Sequence, residues 1–281
     1  MSTRSNLKKE FNFEEAKELY LEQGWSTGQL AKLYGFKTHK SITDKLKNGG
    51  VVIRTGQNLY TTLKKYSDNI FESIDSEWKG YFLGLMLTDG WITGDKTVGY
   101  SSVDKDVVEY LSELTGKSIQ FVDRKQKTFI NSTGYKCNIS DEYRLVFSSK
   151  KMVEDLKRLS VVNNKTLILE GPNLTSSELI YLPQILRGVI DGDGTLGFPS
   201  NHVGSIYFRI VSASEKFIDW CIWALKVLGM RNINKRNISE NLWEINSAQA
   251  HNIEILVHSI YAEELGMSRK RNKLLENYIL R

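Results

Sequence analysis

The chain has 281 residues, 41% hydrophobic, 25% charged and 11% aromatic, with three prolines; this balance excludes disordered, collagen-like and low-complexity polymers. The formal net charge is +5, and all of the excess lies early: residues 1–70 hold 12 Lys+Arg against 7 Asp+Glu, leaving 26 against 26. Cys137 and Cys221 match neither a zinc-ligand spacing nor a disulfide framework. With no apolar signal core and no run of ~18 apolar residues, a soluble intracellular protein is expected, in a bacterial or phage cytoplasm or an organelle.

Residues 13–47 read as helical. Ser26 and Thr27 offer an N-cap, Gly35 and Phe36 break the run, and residues 38–47 resume it with Ile42 and Leu46 four apart. Two short helices joined at a glycine predict a helix-turn-helix module over residues 1–55. Its second helix would offer Lys37, His39, Lys40, Thr43, Lys45 and Lys47 to DNA, and the basic excess fits such a polyanion partner. A helical hairpin used only for packing is the blander alternative. Residues 56–75, with weak periodicity, read as a linker.

Beyond residue 76 the chain repeats itself. GYFLGLMLTDG at 80–90 is echoed by QILRGVIDGDG at 184–194, an offset of 104 residues. A strand at 98–103 leading into a helix at 104–114 is matched by a strand at 206–213 leading into a helix at 215–228. Val107, Leu111 and Leu114 then pair with Ile218, Ile222 and Leu225, and Trp220, Trp223 and Trp243 read as core. Further strands are expected near 119–124, 143–147, 233–238 and 242–245. A period this long points to two similar subdomains, residues 76–172 and 173–281, about an approximate two-fold axis.

Each repeat opens with an apolar helix that keeps an interior glycine, Gly84 and Gly188, and ends in Asp-Gly. Interior glycine costs ~1 kcal/mol relative to alanine, so two copies ask for close backbone approach. Helices packed side by side there would bring Asp89 and Asp193 together at the negative ends of both macrodipoles. That is unfavourable unless a cation holds them. A carboxylate pair without Cys or His ligands suits a hard, oxygen-seeking ion, Mg²⁺ above all. The blandest alternative treats both Asp-Gly ends as helix stops.

The two runs, FLGLMLTDG at 82–90 and LRGVIDGDG at 186–194, resemble the motifs of the LAGLIDADG homing endonucleases in their single-chain, two-motif form. The first copy departs from the pattern with Leu87 where the second has Asp191. The resemblance implies an α+β fold of two pseudo-symmetric αββαββα repeats forming a β-saddle over DNA, beside the small all-α N-terminal module. It implies Asp89 and Asp193 as metal-binding catalytic residues and Asp191 as a motif residue. It also implies supporting polar or cationic groups, for which Asp104, Lys105, Lys150, Glu215 and Lys216 are candidates. The expected function is site-specific cleavage of both strands of a long, asymmetric DNA target by a monomer, with Mg²⁺ or Mn²⁺ active and Ca²⁺ supporting binding alone. A non-cleaving DNA-binding regulator or an RNA-binding intron maturase of the same fold is the alternative; retention of both aspartates favours the enzyme. The strand regions supply DNA-binding candidates: Arg124, Lys125, Lys127, Lys136 and Arg144 in the first repeat, and Arg209, Arg231, Lys235 and Arg236 in the second.

Overall fold

A computed structural model describes residues 10–23, 25–53, 66–124, 128–130, 136–138, 140–198 and 205–279. The chain divides into two units, residues 1–65 and 66–281. Among its described residues no helix is long and apolar enough to cross a membrane.

The first unit contains α1 (Phe13–Leu21), α2 (Thr27–Leu33) and α3 (His39–Asn48). Ser26 caps α2 in a reciprocal box with Gln29, satisfying two amide donors of the first turn. Gly35 takes φ 69°, a left-handed conformation that ends α2 and turns the chain toward α3. Ala16, Tyr20, Leu30, Ala31, Tyr34, Ile42, Leu46 and Val51 close a separate small core. Ile42 and Leu46 thus face inward, leaving Lys37, His39, Lys40, Lys45 and Lys47 exposed. Lys45 lies over the Phe11 ring at 4.8 Å, and Thr43 Oγ1 donates to the His39 carbonyl.

The second unit begins earlier than the linker expected at 56–75 allows. Ile70, Phe71 and Ile74 are buried in its core, and the Tyr66 hydroxyl exchanges hydrogen bonds with the Ser148 backbone. Weak periodicity hid this segment because it packs through a few apolar anchors without a long helix. Residues 54–65 of that connector lie outside the described residues.

Two repeats follow. The first runs α4 (Glu77–Thr88), β1 (Gly90–Thr93), β2 (Thr97–Ser102), α5 (Lys105–Thr115), β3 (Gln120–Val122), β4 (Thr128–Ile130), β5 (Lys136–Asn138), β6 (Glu142–Ser148) and α6 (Lys150–Arg158). The second runs α7 (Leu182–Gly192), β7 (Gly194–Gly197), β8 (Tyr207–Ser212), α8 (Glu215–Val227), β9 (Asn234–Ser239), β10 (Leu242–Ser247) and α9 (Ala250–Ile255), continued by a π-helical turn, Leu256–Ile260, before α10 (Ser268–Ile279). The sheets have strand orders β1-β2-β6-β3 and β7-β8-β10-β9, antiparallel throughout and equivalent position by position. The first repeat adds a two-stranded β4-β5 ribbon. The duplicated αββαββα architecture is therefore present.

Alternation along the strands sends Val98, Tyr100, Leu145 and Phe147 of one sheet, and Phe208, Ile210 and Ile245 of the other, into a shared core under the helices. Register corrects the pairing of the flanking helices by one residue. Gly90 opposes Tyr100 while Gly194 opposes Ile210, so Val107, Val108 and Leu111 correspond to Phe217, Ile218 and Cys221, all buried. Leu114 is 42% exposed, not part of the buried stripe. Trp220 and Trp243 pack against the core, but Trp223, expected inside, is 45% exposed. It shares a helix with Trp220 but sits three residues on, past the edge of the buried face.

Candidate active site

The site is built by α4 and α7 lying against each other. Every residue from Gly80 to Leu87 is buried, the condition of a helix covered all round. A Cβ on Gly84 would stand 2.1 Å from the Ile185 carbonyl oxygen, and one on Gly188 2.3 Å from that of Tyr81. Only glycine permits this backbone contact, which answers the cost of placing it in a helix. The contact aligns the two C-termini, where Asp89 and Asp193 are the C-caps. A Cβ on Gly192 would come within 3.0 Å of Asp89 Oδ2, so each motif end abuts the other.

Both aspartates reach solvent, yet protein crowds them closely enough that loss of hydration dominates their ionisation. Burial raises the Asp89 carboxyl to about 6; the Asp193 charge adds to the rise and the Lys165 and Lys270 ammonium groups oppose it. Burial likewise raises Asp193 against the same two lysines. Asp89 opens onto a cavity of ≈ 810 Å³ whose walls include Asp104, Glu142, Arg269, Lys270 and Lys273.

Lys165 and Lys270 are the site residues that sequence reasoning missed. Lys165 Nζ donates to the carbonyls of Thr88 (2.9 Å) and Gly90 (2.5 Å) around the first motif. Lys270 Nζ donates to Ile190 (2.7 Å), Asp191 (2.8 Å) and Gly194 (2.8 Å) around the second. Each ammonium thus satisfies carbonyls at a helix C-terminus and places positive charge beside the carboxylates. Desolvation lowers both lysines' pKa values while nearby aspartates pull them up, Asp193 and Asp89 for Lys165, Asp191 first for Lys270. The available signal was spacing: they follow Asp89 and Asp193 by 76 and 77 residues.

The lysines proposed from sequence lie elsewhere. Lys105 pairs with Glu109 at 2.5 Å, Lys150 with Asp95 at 3.0 Å and Lys216 with Glu170 at 2.5 Å, all on exposed surface. They stand at or near helix starts, whereas the ammonium groups beside the aspartates arrive from segments that close each repeat. Asp104 does line the cavity, held by Arg269 at 2.6 and 2.9 Å. Its counterpart by register is Ser214, the N-cap of α8, and Glu215 instead binds Lys235. Asp191 is buried, accepting from the Tyr81 and Tyr261 hydroxyls at 2.9 and 2.7 Å.

On the sheet faces turned away from the core, a carboxylate gathers two guanidinium groups in each repeat. Glu142 joins Arg124 and Arg144; Glu244, 1% exposed, joins Arg209 at 3.4 Å and Arg236 at 2.8 Å. Lys235 departs from its expected place among them: its ammonium is held by Glu215 and Asp219 and lies over Trp243, on the helix side. Its partner Ile245 faces the core, so the strand's alternation turns Lys235 the same way. Arg231 is exposed in the turn before β9. Lys125 and Lys127 lie outside the described residues, as does the side chain of Lys136.

The carboxylate pair fits a divalent cation. Among the described residues no group of three or more His, Cys, Asp or Glu side chains gathers as a metal cage. Asp89 opens onto the polar cavity and Asp193 also reaches solvent, which leaves coordination positions for water and other oxygen ligands, as a hard divalent ion requires.

No protein-family model and no curated protein matches the chain. Solved structures do. The homing endonuclease I-WcaI bound to its DNA recognition sequence aligns with a TM-score of 0.55 at 12% identity, over 81% of this chain and 97% of that one. Full-length DUF199/WhiA from Thermatoga maritima aligns at 0.44 and 13% identity, over 76% and 66% of the respective chains. I-DmoI in complex with DNA and Mn aligns at 0.40 and 16% identity, over 70% and 99%. Taken with the two motif helices in contact and the repeated sheet order, the comparison with I-WcaI identifies the fold: this chain has the LAGLIDADG fold in its single-chain, two-repeat form.

Proposed function

We propose that the chain is a site-specific, divalent-metal-dependent DNA endonuclease that cuts both strands of a long asymmetric target as a monomer. The observation that carries this reading is the juxtaposition of Asp89 and Asp193 at two abutting helix ends, each end clipped by a lysine. A protein that only grips DNA has no need for paired carboxylates pressed into mutual repulsion where the DNA phosphates would add more negative charge. Asp89 and Asp193 would hold the cation, Mg²⁺ by its preference for oxygen ligands. When bound, the cation supplies a more acidic water and neutralises charge on the phosphate. The chain's own contribution is then electrostatic and positional. Lys165 and Lys270 set fixed positive charge beside the phosphate where negative charge develops, and the glycine contact fixes the carboxylates without rearrangement.

The clustered arginines Arg124, Arg144, Arg209 and Arg236 present donors for base edges and phosphates, while Glu142 and Glu244 restrict their rotamers. The exposed basic face of α3 adds phosphate contacts as a helix-turn-helix. Incubating the protein with DNA from the flanks of its own gene, in Mg²⁺, in Ca²⁺ and in EDTA, tests the reading. Double-strand breaks at one site in Mg²⁺ alone are expected. Specific binding with no cutting in Mg²⁺ or Mn²⁺ would instead establish a DNA-binding regulator.

A further inference from the structure

The geometry points to the buried quartet of Arg187, Asp191 and Tyr261 from the second repeat and Tyr81 from the first as a positioning device for Lys270, its charged pair having no counterpart on α4. The inference rests on the endonuclease reading above. Arg187 is 0% exposed and Asp191 2%, a buried charged pair of the kind that rarely adds stability over an apolar one. The first repeat supplies the control. At the equivalent positions of α4 stand Leu83 and Leu87, both buried, so this helix packs well without the charges.

What the quartet holds is one stretch of backbone. Arg187 donates to the Glu263 carbonyl at 2.5 Å and to that of Leu265. Asp191 takes the Tyr261 hydroxyl on one oxygen and the Tyr81 hydroxyl on the other, and the Tyr81 oxygen accepts the Met267 amide at 3.1 Å. Gly266, at φ 59°, presses so close that a Cβ there would overlap the Tyr81 ring at 2.1 Å. Residues 261–267 are thereby fixed to α7 and α4, and they lead directly into α10, whose third residue is Lys270. The segment bearing Lys165 is shaped differently, by left-handed Ser160 and Asn164 and a bond from Ser160 Oγ to the Gly171 carbonyl. The two lysines share one equivalent acceptor, the carbonyl of Gly90 or Gly194, and reach it through unrelated supports, so loosening the quartet acts chiefly on Lys270.

Two variants test this. R187L/D191L copies the first repeat's leucines into the second, and Tyr261→Phe removes one hydroxyl from an otherwise unchanged core. The first readout needs no DNA: brief acetylation of the folded, full-length protein, with the extent at Lys270 and Lys165 read by mass spectrometry. Both variants should acetylate Lys270 about tenfold faster than the parent while Lys165 changes less than about twofold; Tyr261→Phe keeps the Asp191 charge beside Lys270, so its rise reports the α10 anchor opening more often. The second readout is strand-resolved cleavage of a supercoiled plasmid bearing the target. Nicked circles should accumulate, with the slow strand the one that Lys270→Met also spares, slowed on the order of 10- to 100-fold as expected for a displaced catalytic group. Unchanged Lys270 acetylation in Tyr261→Phe, or equal slowing of the two strands, overturns the assignment. If the parent protein cuts no DNA, the endonuclease reading fails, and the acetylation ratio still decides whether the quartet positions Lys270. If R187L/D191L does not unfold cooperatively, Tyr261→Phe decides.

Discussion

Between the two repeats, the four-stranded sheets agree strand for strand, while the two motif helices do not. Both α4 and α7 have a glycine at the contact and an aspartate at the end. Yet α4 is apolar from Tyr81 through Leu87, whereas α7 buries Arg187 and Asp191 at the matching positions. The shared part is what the proposed active centre would demand: two backbones touching, two carboxylates adjacent, an ammonium group on the carbonyls of each motif end. The differing part lies behind that centre, where each repeat solves separately the problem of delivering a lysine. The two repeats therefore match more closely at the helix ends than in what supports them.

The shared part breaks first at the lysines. Lys165→Met and Lys270→Met should each slow cleavage on the order of 10²-fold or more, the usual cost of removing one preorganised stabilising group, with DNA affinity lowered far less. Single-turnover rates beside binding isotherms check this, and a large difference between the two would show that the repeats are not chemically equivalent. Gly84→Ala and Gly188→Ala attack the helix contact instead. A methyl set 2.1 or 2.3 Å from a carbonyl oxygen has no flexible neighbour to displace, so each should cost at least about 2 kcal/mol, read from urea unfolding. Equal losses would confirm that the contact is symmetric.

A smaller effect concerns repulsion at the centre. The folded Asp89 carboxyl stands at about 6, above its unfolded value near 3.9, so its ionisation opposes folding. The penalty is absent below pH ~4, grows as pH rises toward 6 and is complete above it. Asp89→Asn should therefore stabilise the protein at pH 7.5 by about 1 kcal/mol once solvent screening is allowed for, and by nothing at pH 4. Unfolding midpoints across that range measure it, and saturating Mg²⁺ should erase the difference by stabilising only the parent.

How much of this was legible in the residues follows from the same contrast. The duplication, the glycine contact and the aspartate pair were readable because a fixed backbone approach admits only glycine and both copies end their helix in the same Asp-Gly pair. The strand-helix junctions were readable to within one residue, and that residue mattered: it paired Asp104 with Glu215 instead of Ser214. Lys165 and Lys270 were not legible because one sits in a 3₁₀ turn, Lys165–Leu167, and the other in α10, so no common local pattern marks them. Lys235 was misread for a different reason. Alternation along β9 decides which face a lysine takes, and the strand's register is visible only once its partner is known.

Strand-resolved cleavage of a target plasmid by the intact protein and by Asp89→Asn and Asp193→Asn, in Mg²⁺ and in EDTA, beside a binding measurement on the same DNA, decides whether the aspartate pair cuts. The intact protein should give linear product in Mg²⁺ and none in EDTA. Either variant should give no linear product, with affinity for the target largely kept. Full double-strand cleavage by either variant, or by the intact protein in EDTA, would contradict it.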